Sequence, residues 1–422
     1  MDFYTRALEL KNEIIENRRY FHTNAEVGLH MPMAQAYVMK KLTEYGLNPI
    51  PCGNGVTAIL GAPPTSAGTP TATVSANTGD LTAAAGQQPD SPSGNGKVLL
   101  LRADMDALPM AEESGEPFAC PTGTEAHTCG HDFHAAMLLT AAKMLKEQES
   151  RLKGTVKFMF QTAEETLEGS RHMIENGILE NPKPDAALAF HITSGQIPIG
   201  VYMYNSGGAM MFSADSFRIH ITGKGAHGAY PHVSIDPINI AAHIYLALQA
   251  LIARESNPLH SCALTIGHFE SGTTANVIPD TALLEGSIRT NNLEARDHLV
   301  RRMKEVVLKT AELYGGSATV EMLSEVPPLI CNPELTDKMV EYMNELPIPG
   351  LTGHPGISAS ASEDFALIAE RIPSTFIYLS AGYLDERGSY PAHNPKVQFN
   401  EEVCPIGAAC LAHCAVRWLE DR

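Results

Sequence analysis

Basic residues are scarce in this sequence relative to acidic ones. Its 422 residues include 30 Lys and Arg against 48 Asp and Glu, which gives a formal net charge of −18. Such a surplus of negative charge disfavours binding to nucleic-acid phosphates and to anionic membrane surfaces. We therefore expect neither a nucleic acid nor a membrane as a partner.

Long apolar runs are also absent. No window approaches the roughly 20 apolar residues of a transmembrane helix. The first stretch, MDFYTRALELKNEIIENRRYFH, carries charges throughout, which predicts no secretory signal peptide. The eight cysteines are scattered through a large chain, and this pattern is not that of a small disulfide-stapled secreted fold. We expect a cytoplasmic protein with reduced thiols.

Strand and helix patterns alternate along much of the chain. The runs KVLLLRADMDALP, GTVKFMFQTAEET, DAALAFHIT and STFIYLSAG are typical of strands, and HAAMLLTAAKMLKEQ of a helix. Such alternation predicts an α/β fold with a mixed, mainly parallel sheet flanked by helices. Residues 2–20 have helical spacing and are predicted to form one surface helix.

Two segments differ from this pattern. Residues 213–325 follow the order β-α-β-β-α-β of a ferredoxin-like α+β domain, which predicts a lid inserted into a larger domain made of 1–212 and 326–422. Residues 62–96 are mainly Pro, Thr, Ser, Ala and Gly. This composition cannot bury enough apolar surface to order itself, so we predict a flexible low-complexity insert.

Ionisable residues follow the predicted strands at the ends where parallel α/β sheets bind ligands. They are Asp104, Asp106, Glu164, Glu165 and His191. So many like charges on one rim are unfavourable unless cations are present. A metal site at this rim would remove the problem.

The stretch EAHTCGHDFH, residues 125–134, supplies further candidate ligands. Cys129 and His131 point the same way if the backbone of CGH is extended, and thiolate and imidazole suit Zn, Co, Ni or Mn. Glu165, His191 and His393 would complete a set able to hold two metals. Glu164 would then be free to move protons.

These segments carry a resemblance to a known family. The chain resembles the metal-dependent amidohydrolases and aminoacylases, which include hippurate hydrolases, N-acyl-L-amino acid amidohydrolases and plant auxin-conjugate hydrolases. The matching stretches run through nearly the whole chain: LLLRADMDALPM, EAHTCGHDFHAAML, QTAEET, SADSFRIHITGKGAHGAYPH, DPI, ANVIPD, LLEGSIRT, SEDF and AHNPKVQF. The resemblance implies a zinc-exopeptidase-like catalytic domain with a lid and dimerisation domain.

The resemblance also implies roles for particular residues and partners. The metal ligands would be Cys129, His131, Glu165, His191 and His393. Glu164 would be the general base, His227 a lid residue that reaches the active site, and Asn276 and Arg289 the groups that hold the substrate carboxylate. Two divalent ions per subunit (Mn, Zn, Co or Ni) would activate water, the substrate would be a small N-acyl amino acid or a peptide, and the protein would be a homodimer or homotetramer.

Several alternatives compete with these assignments. The same two-metal site would serve a metallo-dipeptidase or carboxypeptidase. Cys129 could instead be a nucleophile with a His base, or the fold could be retained for binding alone. Two positions depart from the family pattern, Ala209 where Pro is common and Ala361 where Gly is frequent, and both bear on substrate preference. Cys410 and Cys414 on the last helix are expected to pack in the core rather than to bind metal.

Overall fold

A computed structural model describes residues 2–61 and 96–421 of the chain. The predicted insert at 62–96 therefore lies outside the described residues, except for Gly96. The helices are α1 Phe3–Glu9, α2 Lys11–Thr23, α3 Pro32–Glu44, α4 His131–Lys146, α5 Gly169–Glu175, α6 Pro237–Glu255, α7 Leu293–Leu313, α8 Pro333–Asn344, α9 Ala366–Ala369 and α10 Cys404–Glu420. The prediction of a single helix over residues 2–20 is wrong. Two helices, α1 and α2, meet at Leu10, which is the C-cap of the first and the N-cap of the second.

The strands form one large sheet, one smaller sheet and two short ribbons. Their bounds are β1 Ile50–Cys52, β2 Gly55–Gly61, β3 Val98–Asp104, β4 Thr155–Gln161, β5 Ala186–Thr193, β6 Val201–Tyr204, β7 Ala209–Met211, β8 Ala214–Thr222, β9 Ala226–His227, β10 Cys262–Ser271, β11 Val277–Ile278, β12 Thr281–Thr290, β13 Ser317–Val326, β14 Leu329–Ile330, β15 Thr352–Pro355 and β16 Ser374–Ser380. No helix of the described segments has the length and apolar character needed to cross a membrane.

The large sheet has eight strands in the order β1-β2-β4-β3-β5-β16-β6-β15. Its centre is parallel, since β3 pairs in parallel with β4 and β5, and β5 with β16. Strands β3, β4 and β16 are buried along their whole length, as expected for a sheet covered on both faces. The predicted mixed, mainly parallel α/β architecture is confirmed.

Helix α4 packs against this sheet and is itself almost wholly buried. Its residues are apolar nearly all round, which is typical of a helix inside a large core. Helix α10 covers it, and Cys410 and Cys414 are fully buried there. The thiol of Cys414 donates to the Met339 carbonyl oxygen, so both cysteines pack in the core.

The smaller sheet has the order β10-β12-β8-β13 and is antiparallel throughout. With α6 and α7 on one face it has the chain order β-α-β-β-α-β and the strand order of a ferredoxin-like fold. It encloses a separate apolar core that includes Phe217, Ile244, Leu284 and Val307. We refer to this unit as the lid.

Candidate metal centre

The first two candidate ligands lie at the start of α4. Cys129 precedes the helix and His131 is its first residue, while Gly130 between them has φ +95°. The backbone of CGH is not extended, because Gly130 turns the chain into the helix, so Cys129 and His131 come together by this turn and not by the extended geometry considered above. A side chain there would be excluded, since a Cβ would lie 2.5 Å from Ile192 Cδ1.

Glu164 and Glu165 lie on a tight turn that follows β4. Ala163 before them and Leu167 after them have φ values of +56° and +60°, which L-residues adopt only at some energetic penalty. The Leu167 amide donates to the Glu164 carbonyl oxygen at 2.7 Å and closes the turn. His393 lies in a loop and has φ +66°. Its own backbone amide donates to the Thr128 carbonyl oxygen. Such strain is common at functional sites.

The structure brings six side chains together, and we call this group the candidate metal centre: Cys129, His131, Glu164, Glu165, His191 and His393. The Cys129 Sγ lies 3.4 Å from His191 Nε2. Glu165 Oε1 lies 3.8 Å from His131 Nε2 and 3.6 Å from His393 Nε2. The two distances from Glu165 exceed ordinary hydrogen bonds, and all three spacings suit atoms that share a metal ion.

Neighbouring groups orient the two buried imidazoles. His131 Nδ1 lies 3.2 Å from Asp106 Oδ1, and His191 Nδ1 donates to the Ile192 carbonyl oxygen at 2.6 Å. With the ring proton on Nδ1 in each case, both Nε2 atoms present a lone pair to the centre. Fixing the second nitrogen in this way is typical of metal-binding histidines.

Two buried polar atoms at the centre have no hydrogen-bond partner among the described residues. They are His131 Nε2 and Glu165 Oε1. A buried acceptor without a partner is unfavourable by roughly 1–3 kcal/mol. The donor set of one thiolate, three imidazoles and one or two carboxylates is that of a transition-metal or zinc site, so the residues present fit a bound divalent metal.

The electrostatic field at the centre also favours a cation. Burial opposes charge on His131, yet Asp104 and Cys129 raise the pKa of that imidazole well above its usual value. Burial would raise the pKa of Asp104, but the Arg102 guanidinium holds it well below its usual range. A position that attracts a proton so strongly equally attracts a dication.

Glu164 differs from the other carboxylate of the pair. Burial raises its pKa well above the usual value, and Glu363 and Asp364 raise it further. Its Oε2 is 3.9 Å from His131 Nε2. A buried carboxyl with a raised pKa beside the candidate ligands is suited to general acid–base work.

The environment of Cys129 does not suit a nucleophile. Burial raises the pKa of its thiol, whereas nucleophilic cysteines have lowered values. His191, whose Nε2 is 3.4 Å from Cys129 Sγ, has a pKa well below its usual value because of burial and the neighbouring His134. A buried thiol of raised pKa beside this imidazole favours a pair of metal ligands over a nucleophile and its base.

Comparison with known proteins agrees with this geometry. The model of peptidase family M20/M25/M40 matches residues 100–417. The chain belongs to this family. An N-acetyl-L-cysteine deacetylase of Bacillus subtilis (strain 168) is 33% identical over 413 residues, covering 98% of this chain and 89% of the relative. IAA-amino acid hydrolase ILR1-like 2 of Arabidopsis thaliana is 37% identical over 339 residues, covering 78% and 74%.

The chain is also similar to a solved structure of the same family. A dinuclear metal-binding peptidase of the M20 family from Bacillus subtilis superposes with a TM-score of 0.75 at 28% identity, covering 98% of this chain and 99% of that one. As a member of the M20/M25/M40 family with a fitting donor set, the protein is a metal-dependent amidohydrolase. The resemblance identified from the sequence motifs is confirmed.

The lid residues of this M20 chain form two separate groups. Strand β9 pairs with β11 so that His227 faces Val277, and the Gly228 amide donates to the Asn276 carbonyl oxygen at 2.8 Å. His227 and Asn276 are both exposed, and within the described residues neither contacts the candidate metal centre. The Ala229 amide donates to His227 Nδ1 at 3.0 Å. This hydrogen bond fixes the neutral ring with its proton on Nε2, so that Nε2 is the donor.

Arg289 lies near the opposite end of β12 from this pair. It is partly buried and its guanidinium donates to the Ser362 hydroxyl, one residue before Glu363. The lid is therefore joined to the catalytic domain at Arg289, while His227 and Asn276 are at its other end. In one chain the predicted substrate-binding residues are not brought together.

Several charged residues of the site were missed in the sequence. Arg102 is 1% exposed and donates to Asp104 at 2.6 Å, to Glu363 at 2.8 Å and to Gln161 at 2.9 Å. A charged residue inside the apolar run VLLLRAD was the signal that could have revealed it. His134 is structural, since its Nδ1 donates to Asp104 and its Nε2 accepts from the Ile192 amide.

Proposed function

We propose that this protein hydrolyses the amide bond of N-acyl amino acids, releasing a carboxylic acid and an amino acid. The observation that carries the proposal is Glu164, a buried carboxyl of raised pKa beside a set of five further metal-binding side chains. The relatives named above are a deacetylase of N-acetylcysteine and a hydrolase of indole-acetyl-type amino acid conjugates. Both names describe amides of an amino acid.

The ligands in this proposal are Cys129, His131, Glu165, His191 and His393. They would hold two divalent ions, with Mn, Zn, Co and Ni all compatible with the donor set. When bound, such ions lower the pKa of water toward neutrality and polarise a carbonyl oxygen. Asp106 supports two of the ligands, since it faces His131 Nδ1 and accepts from the Glu165 amide at 2.9 Å.

The chain's own residues then move the protons and hold the substrate. Glu164 takes a proton from the attacking water and delivers it to the leaving nitrogen. Arg289, on the lid near the catalytic domain, or Asn276, supplied by the lid of a neighbouring subunit, binds the free carboxylate of the amino acid. His227 donates to the developing oxyanion, a contribution of roughly 3–4 kcal/mol for donors of this kind.

Hydrolysis of a substrate panel tests the proposal. Metal-stripped protein receives Mn, Zn, Co or Ni and is assayed on N-acetylcysteine, other N-acetyl and N-benzoyl amino acids, indole-acetyl amino acids and dipeptides. We expect activity on the acyl amino acids only with metal and none in Glu164→Ala. The exposed Glu168→Ala is the matched control and should remain active.

Other outcomes have definite meanings. Activity confined to dipeptides would favour the metallo-dipeptidase or carboxypeptidase alternative. Activity that survives metal removal would contradict the metal mechanism and return attention to Cys129.

We also propose that the lid joins two copies of the chain. The outer face of α6 exposes Ile238, Tyr245 and Leu246, an apolar surface that a second lid would cover. Strands β10 and β13 are open edges of the lid sheet, and such edges pair readily. A monomer mass from light scattering at micromolar concentration would contradict the predicted homodimer or homotetramer.

Mixed oligomers test whether His227 acts at the active site of its own subunit or at that of the neighbouring subunit. Glu164→Ala and His227→Ala chains are each expected to be inactive. If co-expression of the two restores activity, His227 acts on the neighbouring subunit's site, and if it does not, His227 acts within its own chain.

We further propose that the protein is cytoplasmic. The free thiols of all eight cysteines support this location.

A further inference from the structure

Tyr378 on β16 is paired with His191 of the candidate metal centre. In the parallel pairing of β16 with β5, Tyr378 is directly opposite His191, and their ring centroids are 5.5 Å apart. Paired residues project to the same face of a sheet. Tyr378 is therefore the residue that β16 contributes to the face on which His191 stands.

The exposed fraction of Tyr378 is close to that of two residues of the candidate metal centre. Tyr378 is 8% exposed, against 9% for His191 and 6% for Glu164. Neighbouring residues on its own strand differ, since Phe376, Ile377 and Leu379 are fully buried. Tyr378 therefore lies at the edge of the apolar cluster that it shares with Met211 and Phe376, with more of its surface accessible than its strand neighbours have.

The hydroxyl of Tyr378 has only a weak acceptor. It donates to the thioether sulfur of Met211 at 3.3 Å, and no oxygen or nitrogen acceptor is found for it among the residues that the structure describes. Thioethers are weak acceptors, and buried phenols usually find a stronger one. This hydroxyl can therefore transfer its hydrogen bond to an incoming carbonyl oxygen at little loss.

The phenol of tyrosine ordinarily loses its proton only near pH 10. The Tyr378 hydroxyl is therefore a hydrogen-bond donor throughout the neutral range.

We propose that Tyr378 is a further catalytic residue, whose hydroxyl donates a hydrogen bond to the carbonyl oxygen of the scissile amide as negative charge develops there. This role rests on the hydrolysis proposed above. Tyr378 is in the catalytic domain of the same chain as Glu164, so it supplies a donor independent of the lid.

Removal of one oxygen atom tests the proposal. Tyr378→Phe should lower kcat about 100-fold, the lower end of the loss seen when an oxyanion donor is deleted, with KM changed less than about twofold. The matched control is Tyr202→Phe. Tyr202 is fully buried on the adjacent strand β6 and donates to Asn344 at 2.8 Å, in the core on the opposite face of the sheet.

Two further measurements separate catalysis from packing. Metal content and thermal unfolding of Tyr378→Phe should equal those of the wild type. Its affinity for a phosphinate analogue of the tetrahedral state should fall about 100-fold, while its affinity for the product amino acid should not change. Met211→Leu, which removes the resting acceptor and keeps the volume, should retain activity.

The results that overturn the assignment are equally specific. Unchanged kcat in Tyr378→Phe, a change in KM alone, or an equal loss in Met211→Leu would each show that the phenol acts only in packing or ground-state binding. If the wild type hydrolyses no acyl amino acid, the proposed function fails. If the wild type is active and Tyr378→Phe equally so, only the role of Tyr378 fails.

Discussion

Replacing Arg102 by Met should destabilise the metal-free protein by about 3–5 kcal/mol, the range observed when one partner of a buried ion pair is removed. The guanidinium is 1% exposed and lies 2.6 Å from Asp104, 2.8 Å from Glu363 and 3.3 Å from Asp364. Those carboxyls are at most 1% exposed. Without Arg102, water cannot replace the lost contacts unless the structure opens.

Urea unfolding with chelator present measures this effect. The only tryptophan, Trp418, lies on α10 in the catalytic domain, so its fluorescence reports the domain that contains Arg102. The control is Arg218→Met, which removes an ion pair with Glu285 at 2.6 Å on the exposed surface of the lid. Surface pairs contribute little, and we expect no resolvable change in its unfolding midpoint. An Arg102→Met variant that unfolds at the wild-type urea concentration would refute the reasoning, because it would show that the three acids are satisfied without the cation.

Three further predictions concern metal, pH and backbone. Returning metal to stripped protein at about one hundred times its Kd should raise the free energy of unfolding by about 2.7 kcal/mol, and an unchanged melting temperature would contradict the metal centre. Burial raises the pKa of Glu363 from 4.5 to about 8 against the opposing charge of Arg102, with Asp104 and Asp364 adding to the rise, so between those values Glu363 holds a proton in the folded metal-free protein that it has lost in the unfolded chain. The contribution of Glu363 to stability should therefore fall as pH rises from 4.5 to about 8, and Glu363→Gln should remove this contribution to the pH dependence in urea titrations. Gly130 has φ +95°, and a Cβ there would lie 2.5 Å from Ile192, whereas Gly28 has φ +76° and nothing within 4 Å of its Cβ position. Gly28→Ala should lower the free energy of unfolding by about 1–2 kcal/mol, and Gly130→Ala should lower it more. Equal losses in urea unfolding would mean that the contact with Ile192 has no effect on stability.

The parts of the fold that the sequence predicted well have strong local signals. The runs that became β3, β4, β5 and β16 are seven or eight residues long and mainly apolar, and polar residues bound them. The lid order also followed from periodicity alone. Local signals were less reliable at the ends of elements, because Leu10 interrupts an otherwise helical pattern and Gly130 starts a helix where an extended backbone was considered.

The arrangement of the lid residues has no local signal. His227 and Asn276 are neighbours because β9 pairs with β11 across about fifty residues of sequence, and Arg289 is far from both because β12 extends away from that ribbon. The motifs name the residues but carry no information on which of them share an end of the lid. Pairing between distant strands decides it.

Arg102 and Tyr378 show two different limits of sequence reasoning. An arginine inside a strand as apolar as VLLLRAD must be paired with buried acids, because an isolated buried charge is not tolerated. That argument was available from the sequence and would have directed attention to the SEDF segment, where Glu363 and Asp364 lie. Tyr378 offers no such signal, since tyrosine is ordinary in a strand. Its significance depends on β16 being next to β5 and in register with His191, and neighbouring strands in a parallel sheet need not be neighbours in sequence.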